Sequence, residues 1–115
     1  MIDPQTLSDL LLVDARNPGT MRALAARFIA QQGSFLNDPR LQPESLDRVF
    51  VAEGAHRLKG TAGTLGATEL AECALQLERM APTGDAASLS AQVQRLREAF
   101  DGASRMLAAA FPPTA

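Results

Sequence analysis

The chain predicts an all-α fold: an antiparallel up-down four-helix bundle with a short N-terminal lid helix. Three observations carry this expectation. Apolar residues recur at steps of three and four through the long segments, the period of an amphipathic helix. Proline, glycine and asparagine gather between those segments, so connections are short and successive helices run antiparallel. The chain is 46% hydrophobic yet has five Phe, no Trp and no Tyr. Its core must therefore be mostly Leu, Ala, Val and Met, an inventory suited to helices rather than to a sandwich.

Asp3-Pro4 reads as an N-cap followed by proline at the first helical position. Leu7, Leu10 and Leu11 give the lid helix a short apolar face, ending near Asp14. Asn17-Pro18 repeats the start signal, and Met21, Leu24, Ala25, Phe28, Ile29 and Phe35 carry a helical period to Leu36. Asn37-Asp38-Pro39 breaks it, leaving a loop to Gln42. Pro43-Glu44 opens a third helix, expected to run to Leu65 with Gly66 as its stop. Thr68 is the expected cap of the next helix, whose buried positions are Leu70, Cys73, Ala74, Leu77 and Met80. After a break at Pro82-Thr83-Gly84-Asp85, the residues Leu89, Val93, Leu96, Phe100, Ala103, Leu107 and Ala110 form a bundle seam. The tail 112–115 is expected to fray.

The 115 residues fit one domain, 1–115, large enough to bury a core without disulfides or metal. A net charge of −2 without an aromatic-interleaved basic patch argues against nucleic acid. The lone Cys73 forms no internal disulfide. With no signal peptide and no long apolar run, this points to the reducing cytoplasm and to no membrane contact. Met1 and a length of one domain favour a free-standing monomer, with a fragment of a hybrid kinase as the alternative.

The informative stretch is Ala55-His56-Arg57-Leu58-Lys59-Gly60-Thr61-Ala62-Gly63-Thr64-Leu65-Gly66, which holds the only histidine. With His56 at 0° and about 100° per residue, Val51, Ala55, Leu58, Ala62 and Leu65 fall between about 180° and 260°, one buried stripe. His56 lies about 140° from its centre and points to solvent. Gly60 at about +40° and Gly63 at about −20° leave the surface beside the imidazole bare. Lys59, at about −60°, sets an ammonium on the same side. Glycine costs a helix about 1 kcal/mol relative to alanine. Close helix packing accounts for Gly54, near the stripe, but not for Gly60 and Gly63, which face away from it. An exposed imidazole beside a cation suits nucleophilic attack on a phosphoryl group, since histidine forms covalent intermediates and the cation stabilises the oxyanion charge.

Other chemistries fit less well. A metal site of Cys73 with His56 and Glu72 or Glu78 is the competing reading, but the helical register makes Cys73 a small buried hydrophobe. Four glycines between 54 and 66 evoke a nucleotide loop, yet the order here is Lys59-Gly60 inside a helix rather than Gly-Lys-Ser/Thr before one. No ATP site follows, so the protein is not a kinase, and phosphate must come from a partner. Val49 and Ala52 share the histidine face as an apolar docking patch, flanked by Glu53 and Arg57, with Gly60, Gly63 and Thr64 continuing it.

The run Ala55 to Gly60, then Gly66-Ala67, Leu70, Cys73 and Leu77-Glu78, resembles the histidine-containing phosphotransfer (HPt) domains of bacterial two-component phosphorelays. The resemblance spans two helices and their hairpin. It implies a four-helix bundle whose histidine takes a phosphoryl group from a receiver-domain aspartate and passes it to another. On this resemblance His56 is the phospho-accepting residue, Lys59 helps hold the phosphoryl oxygens, and Gly60 keeps the site open. Glu78 stands beside the ring on the facing helix, holding Nδ1 and leaving Nε2 to react. Arg79 matches too loosely for a role. Partners are receiver domains of a hybrid histidine kinase or a response regulator. The chain itself needs no cofactor, and Mg²⁺ belongs to the receiver. Two alternatives remain: a module that binds kinase or receiver without being phosphorylated, and, more weakly, a hydrolase with His56 as general base, for which no concave pocket or second catalytic group is evident.

Overall fold

A computed structural model of the chain describes residues 2–112, and these are all-helical, with five α-helices and no strand. The helices are α1 (Pro4–Arg16), α2 (Thr20–Leu36), α3 (Arg48–Thr64), α4 (Thr68–Met80) and α5 (Ala86–Ala110). Two 3₁₀ turns, Pro39–Leu41 and Pro43–Ser45, fill the α2–α3 connection. Except for Pro112, the tail expected to fray lies outside the described residues.

Local chemistry sets most boundaries. The Asp3 carboxylate accepts the Thr6 backbone N–H at 2.9 Å ahead of Pro4, the cap the sequence predicts. Helix α1 runs to Arg16, two residues beyond the expected end. Asn17 is its C-cap, donating its backbone N–H to Val13, instead of opening α2. Gly19 makes that turn in the left-handed region, at φ 90°, and α2 starts after it.

The expectation that α3 begins at Pro43-Glu44 is corrected. Those residues form a separate 3₁₀ turn, and the chain is extended at Asp47 before Arg48. The Asp47 carboxylate takes the Phe50 N–H at 3.0 Å and caps the helix there. Thr68 is likewise not a cap. Ala67 holds the N-cap position without a side-chain bond, and Thr68 is the first helical residue. Gly66, at φ 74°, reverses the chain so tightly that Ala67 N–H already bonds back to Ala62 C=O.

Helix α3 packs on α4, α4 on α5, α5 on α2, and α2 returns to α3. The core residues Val51, Leu58, Leu70, Leu77, Leu96 and Leu107 are fully buried, each contributing about 1.5–3 kcal/mol of apolar transfer. The predicted α3 stripe is buried throughout, as is the α5 seam up to Leu107. Ala110, Met80 and Cys73 are only half-buried. Cys73 borders a shallow hollow with Glu69, Arg95 and Glu98 between α4 and α5 instead of entering the core.

Three contacts place α3. Gly54 is buried against Phe35 of α2, where a Cβ would overlap the ring. Arg48 donates to the carbonyls of Ala81 and Gly84, tying the start of α3 to the end of α4. At the other end of the hairpin Thr6 packs on Gly66, and Asp3 N–H donates to Gly66 C=O at 2.7 Å. The N-terminal segment is thus bonded to and packed on the α3–α4 turn, and the His56 stretch lies between this contact and that of Arg48.

Candidate functional site

His56 lies midway along α3, between Ala55 and Leu58, both 0% exposed. Its own side chain is 65% exposed. The burial of one helical stripe thus fixes where the imidazole points, as the periodicity requires.

The ring is held by α4. His56 Nδ1 lies 2.7 Å from Glu78 Oε2, and Lys59 Nζ donates to Glu78 Oε1 at 2.8 Å. One carboxylate therefore bridges the imidazole and the ammonium across the α3–α4 interface. The hydrogen bond from Lys59 chiefly, with that of His56 behind it, holds the Glu78 carboxyl below its ordinary value of 4.5 against the opposing effect of desolvation. An ionised carboxylate only accepts, so Nδ1 is the donor and carries a proton, and in the neutral ring the lone pair is then on Nε2. Ring geometry turns Nε2 away from α4. Lys59 has three N–H groups and gives one to Glu78, so two remain for an anion near the ring.

Surroundings match the predicted bareness. A Cβ added at Gly60 or Gly63 would meet nothing within 4 Å. Val49 is 68% exposed; Glu53, Arg57 and Thr64 are also exposed, whereas Ala52 is half-buried and packs against the core. The Thr64 hydroxyl donates back to the Gly60 carbonyl at 3.1 Å, which turns its proton inward.

Two hollows meet at His56. A small one of about 350 Å³ is lined by Ala52, Glu53, His56, Arg57 and Glu78. A larger groove of about 720 Å³ runs between α2 and α3, with Leu24, Arg27, Gln31, Gln32 and Phe35 facing His56, Arg57, Gly60, Thr61 and Thr64. Val49 and Gly63 line neither hollow. The groove corrects the expectation that no concave pocket is evident beside His56. Its α2 wall was missed because the sequence gives no register between α2 and α3, although Leu24, Arg27 and Gln31 share one helical face. Its walls supply no carboxylate, cysteine or second histidine; the one carboxylate on the ring, Glu78, approaches from the α4 side. Among the described residues no three His, Cys, Asp or Glu side chains cluster as metal ligands, and no helix is long and apolar enough to cross a membrane.

The site therefore presents an exposed imidazole whose Nδ1 is held by a carboxylate, with a cation one turn away. No curated protein and no solved structure matches the chain. The family model of the Hpt domain matches residues 19–109, from the α1–α2 turn into the last turn of α5. The chain belongs to the Hpt domain family, whose members carry histidine phosphotransfer in phosphorelays.

Proposed function

We propose that His56 accepts a phosphoryl group on Nε2 from a receiver-domain aspartate and returns it to the aspartate of a second receiver. The observation that carries this reading is the 2.7 Å contact between Nδ1 and Glu78 on a ring that is 65% exposed. In the forward step the Nε2 lone pair attacks phosphorus, the N–P bond forms and the aspartyl O–P bond breaks. The bonding pair leaves on the carboxylate oxygen. Nδ1 keeps its proton throughout, and the positive charge that develops on the ring is met by the Glu78 carboxylate. Lys59 turns its free N–H groups to the phosphoryl oxygens. Nothing else is consumed, so the step is reversible and its direction follows the relative phosphorylation of the partners.

Packing order, with each helix resting on its neighbour and α1 fastened over the α3–α4 turn, supports an antiparallel up-down bundle of α2–α5 under a lid helix. We place the protein in the cytoplasm as a monomeric carrier between a hybrid kinase and a response regulator, with Mg²⁺ held by the receiver. The docking patch comprises Val49, Ala52, Glu53, Arg57, Gly60, Gly63 and Thr64.

The test is to mix the protein with each phosphorylated receiver domain of its source organism and follow acid-labile label. Wild type takes up label and His56→Gln does not, while both melt alike. Labelling of the variant equal to wild type contradicts the assignment and leaves a module that only binds.

A further inference from the structure

Charge is divided unevenly about His56. On the α4 side the small hollow carries two carboxylates, Glu53 and Glu78, but also Arg57, and Lys59 donates to Glu78. On the α2 side the groove carries two guanidiniums, Arg27 and Arg57, and no carboxylate, although the whole chain has a net charge of −2. Among the described residues neither guanidinium takes part in an ion pair or donates a side-chain hydrogen bond. Both are exposed. The groove also offers the amides of Gln31 and Gln32, which donate and accept, over an apolar floor that includes Phe28 and Phe35. Glu78 holds Nδ1 from the other side, so the opposite ring nitrogen faces away from that carboxylate.

From this asymmetry, and resting on the phosphotransfer reading above, we infer that the receiver seats its acidic, phosphoaspartate-bearing rim over the α2–α3 groove, and that Arg27 of α2 is a specificity-determining residue for that encounter. Arg27 and Arg57 flank the approach from opposite walls. An aspartyl phosphate among carboxylates is drawn more strongly to the groove, where no carboxylate offsets the two guanidiniums, than to the side where Glu53 and Glu78 offset Arg57 and Lys59. Arg27 acts on the encounter and on register, not on the bond that forms, because α3 and α4 supply every group assigned to the chemistry. A partner with a basic or neutral rim gains nothing from the pair, so discrimination among receivers follows their local charge.

The experiment uses the full chain and the receiver that labels wild type fastest, comparing Arg27→Glu with Arg105→Glu, an exposed α5 change of identical net charge that lines no part of the groove. Glutamate is a good helix former, so both variants keep the fold, verified by their melting. At about 50 mM salt Arg27→Glu lowers the second-order transfer rate about tenfold and leaves the rate at saturating receiver unchanged. At about 0.5 M salt the deficit shrinks to about twofold, as screening shortens the reach of the charge. Arg105→Glu stays within about twofold throughout. Equal losses in the two variants, or a loss in Arg27→Glu that salt does not relieve, overturn the docking inference while His56 labelling stands. Failure of every receiver to label wild type overturns the phosphotransfer reading itself, and this inference with it.

Discussion

Gly60 lies one helical turn beyond His56, and the structure gives its substitution two opposite consequences. It sits inside α3 with ordinary helical backbone, and a Cβ there meets nothing within 4 Å. Replacement by alanine therefore removes the glycine penalty without a clash, a gain of about 0.8–1 kcal/mol. For a domain of this size that raises Tm by about 4 °C. Glutamine is nearly as good a helix former, so Gly60→Gln also stabilises the fold, by about 0.5 kcal/mol. The functional outcomes separate. Residues four apart stand about 5–6 Å from each other at Cβ, so a methyl leaves the ring approachable while the longer glutamine sweeps the space a phosphoryl donor must enter. Thermal melts followed by circular dichroism and single-turnover transfer from a phosphorylated receiver measure both effects. Gly60→Ala should transfer within about threefold of wild type and Gly60→Gln at least about tenfold more slowly, roughly 1.4 kcal/mol in the barrier. A glutamine variant that transfers at the wild-type rate refutes the claim that openness is why glycine stands here. An alanine variant that melts lower refutes the packing analysis.

Three further predictions concern groups whose contacts are on either side of α3. Gly54→Ala drives a methyl into the Phe35 ring and should destabilise the fold by about 1–3 kcal/mol in urea titrations, the opposite sign from Gly60→Ala; an unchanged midpoint means that α2 and α3 yield there. For Glu78, the depressed carboxyl contributes stability that is fully present above 4.5 and is lost as pH falls through its lowered folded value. Stability measured from pH 3 to 7 should therefore fall more steeply in acid for wild type than for Glu78→Gln. In a ¹³C titration Lys59→Ala should raise the Glu78 carboxyl more than His56→Gln does, and the reverse order shows that the imidazole is the dominant partner.

How much of this was legible in the residues depends on the range of the interaction. The α3 stripe and the α5 seam are single-helix periodicities, so their burial could be read directly. The exposure of His56 follows from the same period. Caps were legible where a side chain makes them, as at Asp3, and misread where backbone geometry decides, as at Gly66-Ala67 and Gly19-Thr20. Pro43-Glu44 carries the same opening signal for a 3₁₀ turn as for an α-helix, and only the Asp47 cap separates the two. The pairing of His56 with Glu78 crosses two helices; the family resemblance supplied it, while periodicity alone left Glu78 as a surface charge. The bridge from Lys59 to Glu78 and the α2 wall of the groove depend on interhelical register, which no pattern within one helix encodes.

The central claim is that Glu78 holds Nδ1 so that Nε2 is the atom that reacts. Phosphorus-31 NMR of the phosphorylated protein, with histidine labelled with nitrogen-15, locates the bond directly. The account predicts one phosphohistidine signal coupled to Nε2, with Nδ1 still protonated. A bond to Nδ1, or phosphorus on any residue other than His56, contradicts it.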